Sequence, residues 1–404
     1  MTEWPIVPVA RRRRAMIALF FVPGIGLSSW VTRTPAIREL LAASTLQMSI
    51  ALFGVSIGSM TGILSAGHLV ARFDARAVIA VATASVTLCL PTVGVGAACH
   101  SIWAVTLGFA LFGLGAGAGE VALNVEGAAV ESALEKPFLP ALHGYFSVGM
   151  VVGSVMGIGF TAINVPVLWH LVGISVGMVV LFVCSMPFVA RGTGRTPSEV
   201  EAADTSVAPV WKDTRVLLIG AIVLAIAFTE GTANDWLPLI MVDGHGLSAT
   251  LGSFVYAIFS AAMVLGRFGG GPFIQRFGHA HALRVSAVSA ALGLGLVSLV
   301  DNQIVAMAAV VLWGIGASLG FPVAISAAGG SGPNAAARVT FVATLGYLAF
   351  LVGPPLLGFL GQHYGLRTAL LAPLVGVVCA LFLIGRAVPG HCRAPDAEPM
   401  LSRP

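Results

Sequence analysis

Gly67-His-Leu-Val-Ala-Arg-Phe-Asp-Ala-Arg76 and Gly271-Pro-Phe-Ile-Gln-Arg-Phe-Gly-His-Ala280 are two versions of one phrase, set 204 positions apart in a chain of 404 residues. Each is a basic loop between apolar runs. Each follows a Gly-spotted apolar segment that lies downstream of a tryptophan, Trp30 or Trp236. A basic loop that recurs at half the chain length marks a duplicated bundle of membrane helices.

Composition agrees. The chain is 57% hydrophobic and only 9% charged, with a mean hydropathy of +0.95. A soluble domain carries about 25% charged residues, and no soluble core absorbs this much apolar surface, so the solvent is lipid. Runs of about 20 apolar residues, enough to cross a bilayer, fall at 15–31, 46–66, 77–97, 101–123, 139–161, 166–188, 214–236, 249–270, 281–300, 303–327, 338–361 and 367–386. The expected fold is therefore an all-α membrane protein of twelve transmembrane helices in two pseudo-symmetric six-helix bundles. Residues 1–188 form the first bundle and 214–404 the second with a short tail. The polar segment 189–213 reads as a flexible linker between them.

An even span count puts both termini on one side. With Arg11 to Arg14 placed in the cytoplasm, 18 of the 21 basic residues fall on that side, and only Arg33, Arg38 and Arg367 fall outside. The positive-inside rule thus supports both the count and cytoplasmic termini. The Arg11–Arg14 cluster followed by an apolar run has the look of a signal peptide, but no clear cleavage site closes it, and it reads as a retained first span. The same cluster reads mainly as a topology signal, with binding of anionic lipid as the alternative.

Several function classes drop out. The five cysteines (Cys89, Cys99, Cys184, Cys379, Cys392) are scattered and lack ligand spacing, so neither a metal site nor a disulfide framework is expected. Gly113-Leu-Gly-Ala-Gly-Ala-Gly119 lies inside an apolar helix with no preceding strand, which excludes a dinucleotide fold. No phosphate loop and no identifiable catalytic triad occurs, so no enzyme, no cofactor and no nucleic-acid partner is expected. The expected partners are lipid, a small solute and protons, and the expected state is a monomer.

At the repeated loop the chain resembles the major facilitator superfamily, whose loop between its second and third helices reads roughly Gly-x-Leu-x-Asp-Arg-x-Gly-Arg-Arg. Gly67, Leu69, Arg72 and Arg76 match, while Ala71 takes the Asp position and Asp74 the second Gly position. The second copy keeps Gly271, Arg276 and Gly278, with Gln275 at the Asp position. Three phrases resemble a bacterial branch related to fucose-permease-type sugar permeases: Gly-Glu-Val-Ala-Leu-Asn (119–124), Glu-Gly-Thr-Ala-Asn-Asp-Trp (230–236) and Leu-Gly-Tyr-Leu-Ala-Phe-Leu-Val-Gly-Pro-Pro (345–355). The likeness implies a permease of the inner membrane that works by alternating access. It implies that helices 1, 4, 7 and 10 line the cavity. It also implies that a fourth-helix Glu four residues before an Asn, here Glu120 and Asn124, couples to protons. Those permeases carry a first-helix Asp as well, and this chain has no acid between Ala15 and Val31.

Ionisable groups inside spans are costly and therefore candidates for function. Glu120 with Asn124, and Glu230 with Asn234, share a helix face at i, i+4 spacing. A carboxyl in a partly dry cavity can exchange a proton, so Glu120 and then Glu230 are the candidate proton carriers. The alternative keeps both near a membrane interface, where they only hydrogen-bond a neighbour. His143 could relay protons or cap a loop. Trp30, Trp236, Tyr145 and Tyr347 could stack on a substrate ring, with Trp30 and Trp236 equally readable as interfacial anchors. Gly54, Gly58 and Gly62, and Gly149, Gly153 and Gly157, permit close backbone approach, expected against the opposite bundle. Pro354-Pro355 is expected to kink its helix. Arg72, Asp74, Arg76, Arg267 and Arg276 are expected to form a cytoplasmic gate of ion pairs.

The sparse charge inside the spans argues against a multiply charged solute. Arg33, near the outer mouth, leaves a monoanion open. The expected activity is secondary active transport of a small organic solute, polar and sugar-like, by proton-coupled symport. The alternatives are a proton-driven exporter of hydrophobic drugs and a non-transporting receptor or scaffold on the same fold.

Overall fold

A computed structural model describes residues 8–135, 138–195, 210–329 and 335–387. Lys136, Cys392, Arg393, Arg403 and the middle of the linker lie outside the described residues. In lipid every backbone N–H and C=O must be satisfied within its own segment, so the apolar runs close into helices. The spans are α1 (Val9–Val31), α2 (Thr45–Phe73), α3 (Ala75–Ala98), α4 (Ile102–Leu134), α5 (Leu139–Ala162), α6 (Val167–Phe188), α7 (Thr214–Gly244), α8 (249–277), α9 (279–299), α10 (Gln303–Gly329), α11 (Ala335–Tyr364) and α12 (Leu366–Ala387). A short helix, Thr34–Leu40, follows α1. Helices 1 to 6 pack among themselves, as do 7 to 12. The halves meet where α2 crosses α11 and where α5 crosses α8. These two seams are equivalent under the duplication.

The duplication extends to atomic detail. Ser44 and Ser248, also 204 apart, cap α2 and α8 by accepting from the Gln47 and Leu251 backbone N–H groups. Within the quoted phrases, Asp74 turns the chain between α2 and α3 with φ 88° and ψ 163°, and Gly278 turns it between α8 and α9 with φ 79° and ψ 167°. That region of backbone space is open essentially to glycine alone. Asp74 occupies it because its carboxylate accepts from the backbone N–H of Ala77 and of Gly192, both at 2.9 Å.

Several helices outrun their apolar runs. Polar ends add whole turns beyond the hydrocarbon, so α4 continues to Leu134 and α2 to Phe73. Helix α11 runs unbroken through Pro354 and Pro355. Glu126, on the extended part of α4, is fully buried and bonds Arg12 of α1 at 2.8 Å. One arginine of the N-terminal cluster therefore ties two helices together, a role beyond topology.

The glycine stripes do not face the opposite half. A Cβ on Gly58 would meet the Leu114 backbone N at 2.7 Å, and one on Gly62 the Ala118 N at 2.7 Å, so the α2 stripe lies on α4. The α5 stripe lies on α1, where Gly149 and Gly153 would meet Ile25 backbone atoms at 3.0 and 2.7 Å. Glycine is required where two backbones touch, and that occurs inside the first bundle. Gly113, on the α4 side of the α2–α4 contact, would set a Cβ against Val55 O and 2.7 Å from Ser59 N, whereas Gly159 has open space around it. Gly113→Ala should therefore cost roughly 1–3 kcal/mol by overpacking, and Gly159→Ala should change little. Thermal unfolding of the two variants in detergent checks the contrast; equal midpoints would refute this account of the α2–α4 contact.

Candidate functional site

Depth comes first. At about 1.5 Å per residue, Glu120 lies roughly 27 Å from the start of α4 and 21 Å from its end. Glu230 lies roughly 24 Å and 21 Å from the ends of α7. Both carboxyls are thus mid-helix.

Around them the structure gathers side chains from six helices. The Glu120 carboxyl interacts with the Tyr347 hydroxyl of α11, across the midline between the halves. Arg267 of α8 donates from Nη2 to Glu230 Oε1 at 3.1 Å and from Nη1 to Ser147 Oγ of α5 at 2.8 Å. The arginine thereby joins a carboxylate of its own half to a hydroxyl of the other. His143 Nε2 lies 3.2 Å from Asn124 Oδ1, with the ring edge-on to Phe20 at 5.4 Å. The Tyr256 hydroxyl donates to Asn234 Oδ1 at 3.0 Å. Glu120, Glu230 and Arg267 sense one another's charge. Two carboxyls share the field of one guanidinium, with hydroxyl, amide and imidazole groups beside them.

Arg267 was grouped with the cytoplasmic loops in the sequence reading, and the structure moves it to this centre. The remaining gate residues form no ion pair with one another. Arg72 lies over Phe73 and Arg276 over Phe277, each its own neighbour. Arg76 donates to Val189 O at 3.0 Å. Asp74 serves its turn, as above. The contacts given for Arg72, Asp74, Arg76 and Arg276 all stay within one half.

The opposite, far face differs. There Arg38, after α1, pairs with Asp243 at the end of α7 across the two halves. Ser253 donates to Thr32 O at 2.9 Å, and the Leu46 N–H donates to Gln362 at 3.2 Å. Midway, Ser56 of α2 donates to Phe350 O of α11. In this conformation polar contacts join the halves at the far face. Asp243 sits in a π-helical turn, Ile240–Gly244, a feature frequent at functional positions. The Arg38–Asp243 pair carries no local signature in the sequence, because it joins residues 205 positions apart.

Other expected cavity residues are elsewhere. Trp30 is fully buried against Phe109 and Phe112 of α4, with ring centroids 4.7 and 5.8 Å away. Trp236 is 1% exposed. Neither indole faces a cavity or a membrane interface; both fill the packed interior. Tyr145 stays exposed on α5, outside the cluster. Arg33 is buried, donating to His170 Nδ1 at 2.9 Å, to Thr161 at 3.1 Å and to the Val165 carbonyl. Its donors are engaged, so it offers no open site for an anion at the outer mouth. Among the described residues no cluster of His, Cys, Asp and Glu has the makings of a metal site.

Comparison with known proteins agrees with this architecture. Residues 15–347 match the Major Facilitator Superfamily profile. An uncharacterized MFS-type transporter of Yersinia pestis is 28% identical over 352 residues, spanning 87% of this chain and 89% of that protein. A mutant of the nucleoside transporter NupG superposes with a TM-score of 0.73 at 12% identity, covering 94% of this chain and 99% of the other. The transporter FucP in its outward conformation gives 0.66 at 14% identity, covering 95% and 99%. At such identities the structural likeness concerns the fold. With its duplicated six-helix halves and its match over most of its length, the chain belongs to the major facilitator superfamily.

Proposed function

We propose that the protein is a secondary active transporter that moves a small, polar, sugar-like organic solute by proton-coupled alternating access. The observation that carries this reading is that each of the two carboxyls, Glu120 and Glu230, takes part in a bridge between the halves. Glu120 reaches Tyr347 directly, and Glu230 reaches Ser147 through Arg267. A proton arriving at Glu120 cancels its charge, weakens its hold on Tyr347 and removes its repulsion of Glu230. The halves are then free to rock. Asn124, Asn234, Tyr256 and His143 offer the donor and acceptor pattern that hydroxyl groups need. The same polarity disfavours an exporter of hydrophobic drugs. In this reading the linker face is cytoplasmic, the bilayer is an inner membrane and the protein acts as a monomer.

Proteoliposomes with an internal pH dye test the coupling. Sugars, nucleosides, small acids and cationic drugs are added outside in turn. A pH pulse is expected for a polyhydroxylated class, and Glu120→Gln should abolish it. A pulse that survives Glu120→Gln would remove this residue from coupling, and a pulse from the cationic drugs alone would favour the exporter.

The Arg267–Glu230 pair also has a structural price. Both side chains are mostly covered, at 23% and 15% exposed. Arg267→Gln strands a carboxylate and should cost about 3 kcal/mol, because breaking a buried pair leaves an uncompensated charge. The Arg267→Gln/Glu230→Gln double variant should regain most of that loss in thermal unfolding. A double variant no more stable than the single would show that the pair contributes little.

A further inference from the structure

Asp235 has no place in the bridges described above. It stands on α7 about 7.5 Å nearer the far face than Glu230, and about 13 Å short of the helix end. It is 8% exposed. Among the described residues five ion pairs occur, and Asp235 is in none of them. The other aspartates of the described residues are all provided for: Asp74 by backbone N–H groups, Asp213 by Arg338, Asp243 by Arg38 and Asp301 by Arg367. The titratable group facing Asp235 is Tyr256 of α8, and among the described residues no charged side chain of another helix is paired with it. Tyr256 is itself bonded to Asn234, the residue next to Asp235. A carboxylate in an apolar span without a cation or a set of donors is costly, and a neutral carboxyl is not.

We propose that Asp235 holds a proton in this conformation and is a second proton-carrying site of the transporter, lying between the far face and the Glu230–Arg267 pair. Its service to transport rests on the proton coupling proposed above; its protonation does not. The far-face latch explains how the two connect. Arg38–Asp243 closes the same helix about 12 Å above Asp235. Opening that latch exposes the upper part of α7 to water, where Asp235 can exchange its proton.

Infrared difference spectroscopy of the full chain in lipid, titrated with acid and base alone, tests this directly. Wild-type protein carrying carboxyl-13C aspartate should show a protonated-carboxyl band shifted by the label. That band should vanish in Asp235→Asn and return at a displaced frequency in Asp235→Glu. The label needs no substitution, so the wild-type measurement stands even if Asp235→Asn fails to fold. Absence of any label-shifted band in wild type, which an ionised, water-solvated Asp235 would give, overturns the proposal. So does a band that survives Asp235→Asn. A separate outcome concerns coupling. If the band behaves as expected while Glu120→Gln keeps full proton movement, the coupling role of Glu120 fails and the protonation of Asp235 stands.

Discussion

Inside lipid, apolar surface alone gives one helix no reason to prefer another helix over an acyl chain. Association must come from close backbone contact or from polar groups that have no other partner. This protein uses the first within its first half and leans on the second between halves. Gly58, Gly62, Gly113, Gly149 and Gly153 set backbone against backbone inside the first bundle. The seams between halves carry Ser56 on Phe350, Ser147 on Arg267, Glu120 on Tyr347 and Arg38 on Asp243. Backbone contacts of the first kind are lost only by separating helices. Polar contacts of the second kind can be exchanged for water or solute one at a time. The halves are therefore stiff and the seam between them is labile, which is what alternating access requires.

The same distinction explains where function sits. A charge buried in a span is tolerated when it is paired, and under the proposed transport cycle the groups at the seam exchange partners as the halves move. Arg267 neutralises Glu230 in place, leaving Glu120 as the carboxyl whose charge is not matched one for one. A proton or a solute group can supply what is missing. Arg33, buried with His170, Thr161 and Val165, shows the contrasting case. Its partners all lie in one half, so it fastens that half together.

Much of this was legible in the chain. The repeated loop and the distribution of arginines gave twelve helices, and i, i+4 spacing singled out Glu120 with Asn124 and Glu230 with Asn234. What failed to show is what depends on partners far away in sequence. Hydropathy ends a span where charge begins, so the sequence did not show that α4 continues as helix to Leu134. Arg267 lies a few residues from the basic loop and was read as part of it, although a side chain one helical turn deeper meets a different environment. Trp30 and Trp236 followed the usual preference of indoles for interfaces, but neighbouring Phe109 and Phe112 offered Trp30 a packed core instead. Small-residue spacing told that helices approach closely without telling which helix is approached. Asp74 in a glycine's place was visible as a departure from the motif; its reason, two backbone donors, was not.

The central claim is that the charge on Glu120 governs how the halves stand. Spin labels at Arg72→Cys and Arg276→Cys, both on the exposed linker face, would report that separation by pulsed electron paramagnetic resonance in a cysteine-free background in lipid. With no solute present, the account requires the wild-type distance distribution to shift as pH is lowered. In Glu120→Gln it should rest at the low-pH distribution at every pH. A Glu120→Gln protein whose distances follow pH as wild type does would contradict the account.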